Sequence, residues 1–256
     1  MTETTEPHRA DTAHRPLAVV TGASAGIGEA VARRLADAGF RLLLGARRED
    51  RLRTVASELG AEWGILDVAD EASVAAFCAG VDRVEVLVNN AGGARGMDAI
   101  ADSRSDRWRW MWEANVLGLM HMTRGLLPAL ELSGRGHIVN ISSTAGIEVY
   151  EGGGGYIAAK HAVHAISQTL RLELAGRPIR VTEICPGMVE TDFSLNRFEG
   201  DAARAAGVYQ GVTALTAADV ADVVAFAVTR PAHVNLDEIV IRPLQQAAAH
   251  KVVRRD

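Results

Sequence analysis

The chain has 256 residues, of which 48% are hydrophobic, and a formal net charge of -5. This length suits one large α/β domain, and no apolar run approaches the roughly 20 residues that a membrane-spanning helix needs. An acidic chain without a stripe of basic and aromatic residues excludes nucleic acid as the expected partner.

The chain ends and the cysteines add three expectations. The first fifteen residues, MTETTEPHRADTAHR, are polar and contain no apolar stretch for a signal peptide, so residues 1–15 are predicted to be a disordered leader. The main folded domain is expected over 16–244 and a C-terminal tail over 245–256. Cys78 and Cys185 lack a metal-binding spacing, which predicts buried free thiols, no metal site and a cytoplasmic location.

Short apolar runs alternate with amphipathic helical patterns from Leu17 onward. The runs are 17–21, 41–46, 62–67, 84–89, 136–142, 179–185 and 237–241. Each is typical of a strand that is buried on both faces. Strand and helix in regular alternation predict a single Rossmann-like, doubly wound α/β domain, with a seven-stranded, mainly parallel sheet flanked by helices. Ligands are expected at the carboxyl ends of the strands.

A glycine-rich turn, TGASAGIG, follows the first strand and leads into a helix. Gly22, Gly26 and Gly28 allow the backbone to approach a pyrophosphate, and the N–H groups at the start of the helix attract its negative charge. The alternative is a plain strand-to-helix turn with incidental glycines.

The end of the second strand indicates which dinucleotide would bind. Enzymes that use NAD(H) usually place an acidic residue here, whereas this chain has Ala46 followed by Arg47 and Arg48. Guanidinium groups make charge-assisted contacts with a 2′-phosphate, so the pattern favours NADP(H). The alternative is a solvated, charged start of a helix.

The third and fourth strands end at the same edge of the predicted sheet. Asp67 and Val68 are placed to meet the adenine, and Asn90, Ala91 and Gly92 to form a close backbone wall for the dinucleotide. Simple turn chemistry remains the alternative for both segments.

The stretch YEGGGGYIAAK, residues 150–160, places four glycines before a helix that carries Tyr156 and Lys160 one turn apart. The glycines are expected to end where the helix begins, and to leave room or mobility for a substrate along one wall of the cleft. The neighbouring histidines, His161 and His164, have no evident carboxylate partner and are expected at the surface or an interface.

Taken together, these motifs resemble the classical short-chain dehydrogenase/reductase family from about Leu17 to Leu244. The resemblance is carried by TGASAGIG, Asp67, NNAG, Asn115, ISS with Ser143, YIAAK and PGMVET. The C-terminal half, with its NRF-GD, ALT-DV and P-HVN elements, is similar to NADP-dependent 3-hydroxy acid dehydrogenases of the serine type.

The resemblance implies catalytic roles for four residues. Tyr156 would be the acid/base, Lys160 would favour the phenolate and hold the nicotinamide ribose, and Ser143 would position the substrate oxygen. Asn115 would anchor a water that leads protons to the lysine, or would merely bond backbone within its long helix. The implied NADP(H) contacts are Gly22, Ser24, Ala25, Gly26, Ile27, Gly28, Arg47, Arg48, Asp67, Val68, Asn90, Ala91, Gly92, Tyr156, Lys160, Pro186, Gly187, Val189 and Thr191.

The substrate is expected under a lid at about 187–211, which is too long for an ordinary connection. Arg95 and Arg197 are candidates to bind a substrate carboxylate, although Arg95 is equally placed to face solvent and Arg197 to form a structural salt bridge. We expect interconversion of a secondary alcohol and a carbonyl, with a small 3-hydroxy acid as the leading substrate. A neutral or bulkier aldehyde or ketone is the alternative, and a non-catalytic NADP(H) sensor is a remote one. By resemblance only, the chain is expected to form a homotetramer or homodimer.

Overall fold

The structure of the protein is a computed structural model that describes residues 15–255. The predicted leader, residues 1–15, therefore lies outside the described residues except for Arg15. The guanidinium of Arg15 donates to the carbonyl oxygens of Gly39 at 2.8 Å and Phe40 at 3.0 Å.

A parallel sheet in the order β3-β2-β1-β4-β5-β6-β7 forms the centre of the molecule, and it confirms the predicted fold. Its strands are β1 (Leu17–Thr21), β2 (Arg41–Ala46), β3 (Glu62–Ile65), β4 (Val86–Asn89), β5 (Gly136–Ile141), β6 (Ile179–Pro186) and β7 (Glu238–Ile241). The helices are α1 (Gly26–Asp37), α2 (Glu49–Leu59), α3 (Glu71–Cys78), α4 (Ser105–Trp112), α5 (Gly118–Leu132), α6 (Gly154–Glu173), α7 (Phe193–Arg197), α8 (Ala202–Tyr209) and α9 (Ala217–Val228).

Two apolar layers cover the sheet because alternate strand residues point to opposite faces. In β1, Val20 packs with the helices α1, α2 and α9, whereas Val19 packs with α3 and α5 on the other face. The order of the strands reverses between β1 and β4, which opens a crevice at their carboxyl ends.

The two edge strands differ from the prediction that every strand is buried on both faces. Trp63 and Ile65 in β3 are 36% and 48% exposed, and Val240 in β7 is 39% exposed. These strands have a neighbour on one side only. The prediction was wrong here because an apolar run does not reveal where its strand lies in the sheet.

The helix that carries Asn115 is interrupted, although the sequence predicted one long helix. A π-helical turn, Glu113–Leu117, separates α4 from α5 and places Asn115 at its centre. Such turns are rare, and they are frequent at functional sites.

The predicted lid and tail both contain secondary structure. Residues 187–211 include α7 and α8. The tail forms a short antiparallel hairpin of β8 (Gln246–Ala248) and β9 (Lys251–Val252). Gln246 is buried, and its Oε1 accepts a hydrogen bond from the backbone N–H of Met188 at 2.8 Å. The hairpin is thereby attached to the chain segment that follows β6.

Two further expectations concern the environment of the chain. Among residues 15–255, no helix has the length and apolar character required to cross a membrane. Cys78 and Cys185 are free thiols; Cys185 is buried, whereas Cys78 is only partly buried.

Candidate active site

A cleft of about 1610 Å³ lies at the carboxyl ends of the strands, where the fold predicted a ligand. Most of the predicted site residues line it: Gly22, Ser24, Ala25, Gly26, Ile27, Arg47, Arg48, Asp67, Val68, Asn90, Ala91, Gly92, Arg95, Ser143, Tyr156, Lys160, Pro186, Gly187, Val189, Thr191 and Arg197. Gly28 and Asn115 lie outside the lining.

The glycine turn is built by close packing and left-handed backbone. Gly22 has φ +68, and a Cβ there would lie 2.8 Å from Asn90 Nδ2. A Cβ at Gly28 would lie 2.4 Å from the carbonyl oxygen of Gly22, so Gly28 serves the packing of the turn. Helix α1 begins at Gly26 without a side-chain cap, which leaves the first N–H groups free to bind an anion.

The NNAG segment is clamped onto the first strand. Thr21 Oγ1 accepts hydrogen bonds from the backbone N–H groups of Asn90 at 3.0 Å and Ala91 at 2.9 Å. Asn90 Nδ2 donates to the carbonyl oxygen of Thr21 at 2.9 Å. The Asn90 side chain thus fixes the wall of the cleft, and the backbone of the segment faces the open space.

Two arginines lie at the mouth of the cleft beside the glycine turn. Arg48 Nε donates to Ser24 Oγ at 3.2 Å, and Arg47 Nη1 lies 4.0 Å from Asp67 Oδ2. Asp67 Oδ1 also accepts a hydrogen bond from the backbone N–H of Ala69. This bond stabilises the turn after β3, which is the structural role that the sequence left open as an alternative for Asp67. Both guanidinium groups are about half exposed and can turn toward an anion.

Tyr156 and Lys160 are buried together on the first turns of α6. Lys160 Nζ lies 5.7 Å from the centroid of the Tyr156 ring and donates to the carbonyl oxygen of Ile141 at 2.9 Å. Burial lowers the pKa of Lys160 to about 8. Burial raises the pKa of the Tyr156 phenol above its ordinary value, and the hydroxyl of Ser143 and the charge of Arg197 oppose that rise.

Ser143, and not its neighbour Ser142, is the serine beside the phenol. Ser143 Oγ accepts from the backbone N–H of Ala145 at 3.1 Å and lies 3.5 Å from the carbonyl oxygen of Pro186. Ser142 is only 4% exposed, and its Oγ has no hydrogen-bond partner among the described residues. The arrangement follows from the alternation of side chains at the end of β5.

Asn115 uses its whole side-chain amide to hold the loop after NNAG. Its Oδ1 accepts from the N–H of Gly93 at 3.1 Å, and its Nδ2 donates to the carbonyl oxygens of Gly93 at 2.9 Å and Met111 at 2.7 Å. Only the bond to Met111 lies within the helix, as in the backbone-bonding alternative, and the bonds to Gly93 reach outside it.

The two candidate substrate arginines have different surroundings. Arg197 is 9% exposed; its Nε donates to the carbonyl oxygen of Gly96 at 2.9 Å and its Nη1 to the Tyr150 hydroxyl at 3.1 Å. Its Nη2 is buried without a hydrogen-bond partner among residues 15–255. The guanidinium of Arg95 instead stacks on Trp110, 4.3 Å from the ring centroid.

Sequence reasoning missed several residues of the site. Tyr150 contacts Arg197, and the Phe193 ring lies 5.5 Å from the Tyr156 ring. His250 and Arg254 bring the C-terminal hairpin to the cleft. Tyr150 precedes the run of glycines at 152–155. An aromatic residue so near the catalytic helix was the sequence feature that could have indicated a contact with the substrate. Nothing in the sequence indicates that the tail folds back.

The glycine run does not leave room for a substrate, contrary to the hypothesis. Helix α6 begins at Gly154, inside the run. A Cβ at Gly153 would lie 2.5 Å from the Tyr150 ring, and one at Gly155 would lie 2.4 Å from Met111 Cε. These glycines allow close packing against Tyr150 and α4. The residues of this loop that line the cleft are Val149, Tyr150 and Glu151, which come before the glycines.

Comparisons with known proteins identify the family to which this chain belongs. The family model described as short chain dehydrogenase matches residues 16–202. An uncharacterized oxidoreductase of Mycobacterium tuberculosis is 57% identical over 235 residues, covering 92% of this chain and 94% of its own. An NADP-dependent 3-hydroxy acid dehydrogenase of Escherichia coli is 40% identical over 246 residues, covering 93% and 99%. The closed form of a serine dehydrogenase complexed with NADP+ matches with TM-score 0.89 and 39% identity, covering 94% of this chain and 100% of that one.

Proposed function

The chain belongs to the short-chain dehydrogenase family, and from that premise we propose that it is an NADP(H)-dependent oxidoreductase that interconverts a small 3-hydroxy acid and its carbonyl form. The observation that carries the choice of substrate is the buried, unpartnered Nη2 of Arg197 beside Tyr156. A neutral substrate would leave that charged donor unsatisfied, whereas a carboxylate would accept from it.

The cleft fits NADP(H) in three respects. The uncapped start of α1 suits a pyrophosphate, the buried Ala46 removes the acidic residue that would repel a 2′-phosphate, and Arg48 with Ser24 offers donors to it. NADP-bound and NADP-dependent relatives support the same choice. When bound, NADP(H) supplies or accepts the hydride.

Tyr156 moves the proton in this proposal. Its hydroxyl donates a proton to the carbonyl oxygen during reduction, and its phenolate accepts the proton of the alcohol during oxidation. Because burial raises the pKa of the phenol, the phenolate needs help, and the ammonium of Lys160 5.7 Å from the ring centroid provides it. The ammonium of Lys160 has three N–H donors. One donates to the carbonyl oxygen of Ile141, and the other two can donate to the ribose hydroxyls of the nicotinamide half.

Ser143 and Arg197 position the substrate from two sides. The Ser143 hydroxyl fixes the oxygen that Tyr156 protonates, and Arg197 Nη2 binds the carboxylate. Arg197 is itself held in place through Nε and Nη1, so little entropy is lost when the acid binds. The stack of Arg95 on Trp110 makes it the weaker candidate for this contact.

Residues 187–211 form the lid of this site in the proposal. They contribute Phe193 and Arg197 from α7, and the hydroxyl of Tyr209 at the end of α8 donates to the carbonyl oxygen of Val189 at 2.9 Å. Asp192 lies 3.9 Å from Arg48 and 3.3 Å from Arg51, across the cleft mouth. These contacts let the lid exclude water from the reacting atoms.

A neutral or bulkier aldehyde or ketone is the second candidate substrate. Met97 and Val149 line the cleft and are 43% and 65% exposed, so apolar surface is available near its mouth. A function as a non-catalytic sensor is disfavoured, since Tyr156 and Lys160 are both present and buried side by side.

Turnover with a panel of substrates tests the proposal. The purified chain is mixed with NADP+ and 3-hydroxy acids, and with NADPH and neutral aldehydes or ketones, while the nicotinamide absorbance is followed. We expect a higher kcat/KM for a hydroxy acid than for its neutral analogue. Reduction of neutral carbonyls without oxidation of any acid would favour the second candidate, and no turnover with either set would support the sensor.

Assembly and location complete the proposal. Large apolar side chains are exposed on several helices, including Trp112 at 46%, Leu172 at 80% and Phe226 at 53%, which supports a homotetramer or homodimer. Light scattering measures that state directly. The two free cysteines support a reducing, cytoplasmic location.

A further inference from the structure

A polar row crosses three neighbouring strands beneath α6. The register of the sheet aligns Asn140 of β5 with Glu183 of β6, and Glu183 with Glu238 of β7. Side chains at aligned positions project from the same face. His164, on α6, reaches the two carboxylates of this row.

The three side chains have the spacing of ligands that share one ion. His164 Nδ1 lies 2.8 Å from Glu183 Oε2 and 3.7 Å from Glu238 Oε2, and one donor atom of each residue lies within 4.8 Å of the others. Around a cation bound at about 2.0 to 2.2 Å, neighbouring nitrogen and oxygen donors stand about 3 to 3.5 Å apart. The cluster therefore needs only small side-chain adjustments to close on a metal ion.

A second observation points to a cation at this cluster. Glu183 is 0% exposed, and its Oε1 is buried without a hydrogen-bond partner among the described residues. A buried carboxylate is costly unless it is paired or bound to a metal. Lys160 lies on the same helix, and its ammonium donates a hydrogen bond to the carbonyl oxygen of Ile141. One imidazole thus faces two carboxylates, and Lys160 acts on Glu183 through space, without a hydrogen bond to it among the described residues, so part of the negative charge is left for an ion to balance.

The imidazole also has the support that a metal ligand requires. Ligating histidines usually hydrogen-bond through the second ring nitrogen, which fixes the orientation of the ring. Here His164 Nε2 lies 3.0 Å from Gln168 Nε2, and the Gln168 amide can turn to present its oxygen to that nitrogen. Glu238 is partly exposed, which gives an ion a path from solvent.

We propose that His164, Glu183 and Glu238 bind a divalent transition-metal ion such as Zn²⁺. One nitrogen and two carboxylate oxygens suit this class of ion better than Mg²⁺ or Ca²⁺, which take oxygen ligands alone. The ion ties the helix of Tyr156 and Lys160 to β6 and to the edge strand β7. This replaces the sequence-based expectation of no metal site, and it corrects the view of His164 as a histidine without a carboxylate partner.

Isothermal titration of tag-free, chelator-treated chain with Zn²⁺ tests the proposal. We expect one high-affinity ion per chain, and at least about a tenfold loss of affinity in His164→Gln and Glu238→Gln. His161→Gln is the matched control, because His161 is exposed on the same helix and, within residues 15–255, bonds only the carbonyl oxygen of Ile157. Absence of saturable binding, or equal binding by Glu238→Gln and wild type, overturns the proposal.

Thermal unfolding gives a second readout that does not depend on the oxidoreductase reaction. A ligand that binds only the folded chain raises the Tm. Zn²⁺ should raise the Tm of wild type and His161→Gln, and leave that of His164→Gln unchanged. An equal rise in all three chains would place the ion elsewhere and overturn the site.

Discussion

Arg197 donates a hydrogen bond from Nη1 to the hydroxyl of Tyr150 at 3.1 Å, while its Nη2 is buried beside Tyr156 without a partner among the described residues. The guanidinium of Arg197 is thus fixed by hydrogen bonds at one end, and at the other end it has an N–H group without an acceptor among the described residues. This arrangement suits the binding of an anion that enters the cleft. The relationship joins two residues that are 47 positions apart in the chain, one in the loop before α6 and the other in α7.

Replacement of Arg197 by Gln should therefore impair turnover of 3-hydroxy acids more than turnover of neutral alcohols. A hydrogen bond to a charged group contributes about 1.5 to 3 kcal/mol, so kcat/KM for the acid should fall about 10- to 100-fold. Steady-state kinetics with an acid and its neutral analogue measure the difference. The matched control is Arg204→Gln, which removes an exposed arginine of α8 that stacks on Phe198. An equal loss for both substrates would contradict a carboxylate contact.

Removal of the Tyr156 hydroxyl should stop the proton transfer. Tyr156→Phe keeps the buried ring, so the fold and NADPH binding are retained while kcat falls about a hundred- to ten-thousandfold. NADPH fluorescence measures binding and nicotinamide absorbance measures turnover. Tyr150→Phe is the comparison, since its hydroxyl bonds Arg197 and should affect KM for the acid more than kcat. Full activity in Tyr156→Phe would refute the mechanism.

The arginines at the cleft mouth should set the choice of dinucleotide. In Arg47→Ala/Arg48→Ala, KM for NADP+ should rise about 10- to 100-fold, because charge-assisted contacts to the 2′-phosphate are lost, while KM for NAD+ changes little. Steady-state kinetics with both dinucleotides measure the ratio. Arg51→Ala is the control, as this arginine is exposed and pairs with Asp192. A preference for NADP+ that survives the double change would contradict the assignment.

The fold was predictable because each strand and helix has a recognisable local pattern of apolar and polar residues. Buried parallel strands appear as short apolar runs and helices as amphipathic stretches, so the alternation from Leu17 onward predicts the doubly wound sheet. The edge positions of β3 and β7 were not predictable, since strand order follows from the path of the whole chain. The π-helical turn at Asn115 has no local signal for the same reason.

The residues that we propose to bind the dinucleotide could be predicted to lie together, because they follow strands directly and share one edge of the sheet. The substrate side was less accessible. The bond between Tyr150 and Arg197 and the return of the hairpin at Gln246 depend on long-range contacts. The cluster of His164 with Glu183 and Glu238 arises from sheet register, which a single sequence does not display.

A buried histidine should make the protein sensitive to acid. His137 is 1% exposed and lies 2.8 Å from Thr182 Oγ1; burial, with a smaller contribution from Arg180, lowers its pKa to about 3. The unfolded chain takes up a proton near pH 6.5, whereas the folded chain does not. The stability contributed by the neutral ring is therefore complete above about pH 6.5 and is lost as the pH falls toward 3, at about 1.4 kcal/mol per unit.

Urea unfolding at pH 7 and pH 5 measures this loss. Between these pH values wild type should lose about 2 kcal/mol more unfolding free energy than His137→Gln, which has no group to protonate. His161→Gln removes an exposed histidine instead, so its loss should match that of wild type. Identical losses in wild type and His137→Gln would show that other groups control the acid sensitivity.

The glycine run should act on the substrate through Tyr150. In Gly153→Ala the new Cβ would lie 2.5 Å from the Tyr150 ring and 2.6 Å from Ile157 Cδ1, so the ring must move and its bond to Arg197 is disturbed. We expect KM for the 3-hydroxy acid to rise several-fold at unchanged KM for NADP+, with a stability cost of about 1 to 3 kcal/mol. In Gly154→Ala the Cβ would instead meet Trp108 at 3.1 Å, away from Tyr150. That variant should lower the Tm without changing KM for the acid, and an equal change of KM in both variants would show that general loosening of α6, and not displacement of Tyr150, is the cause.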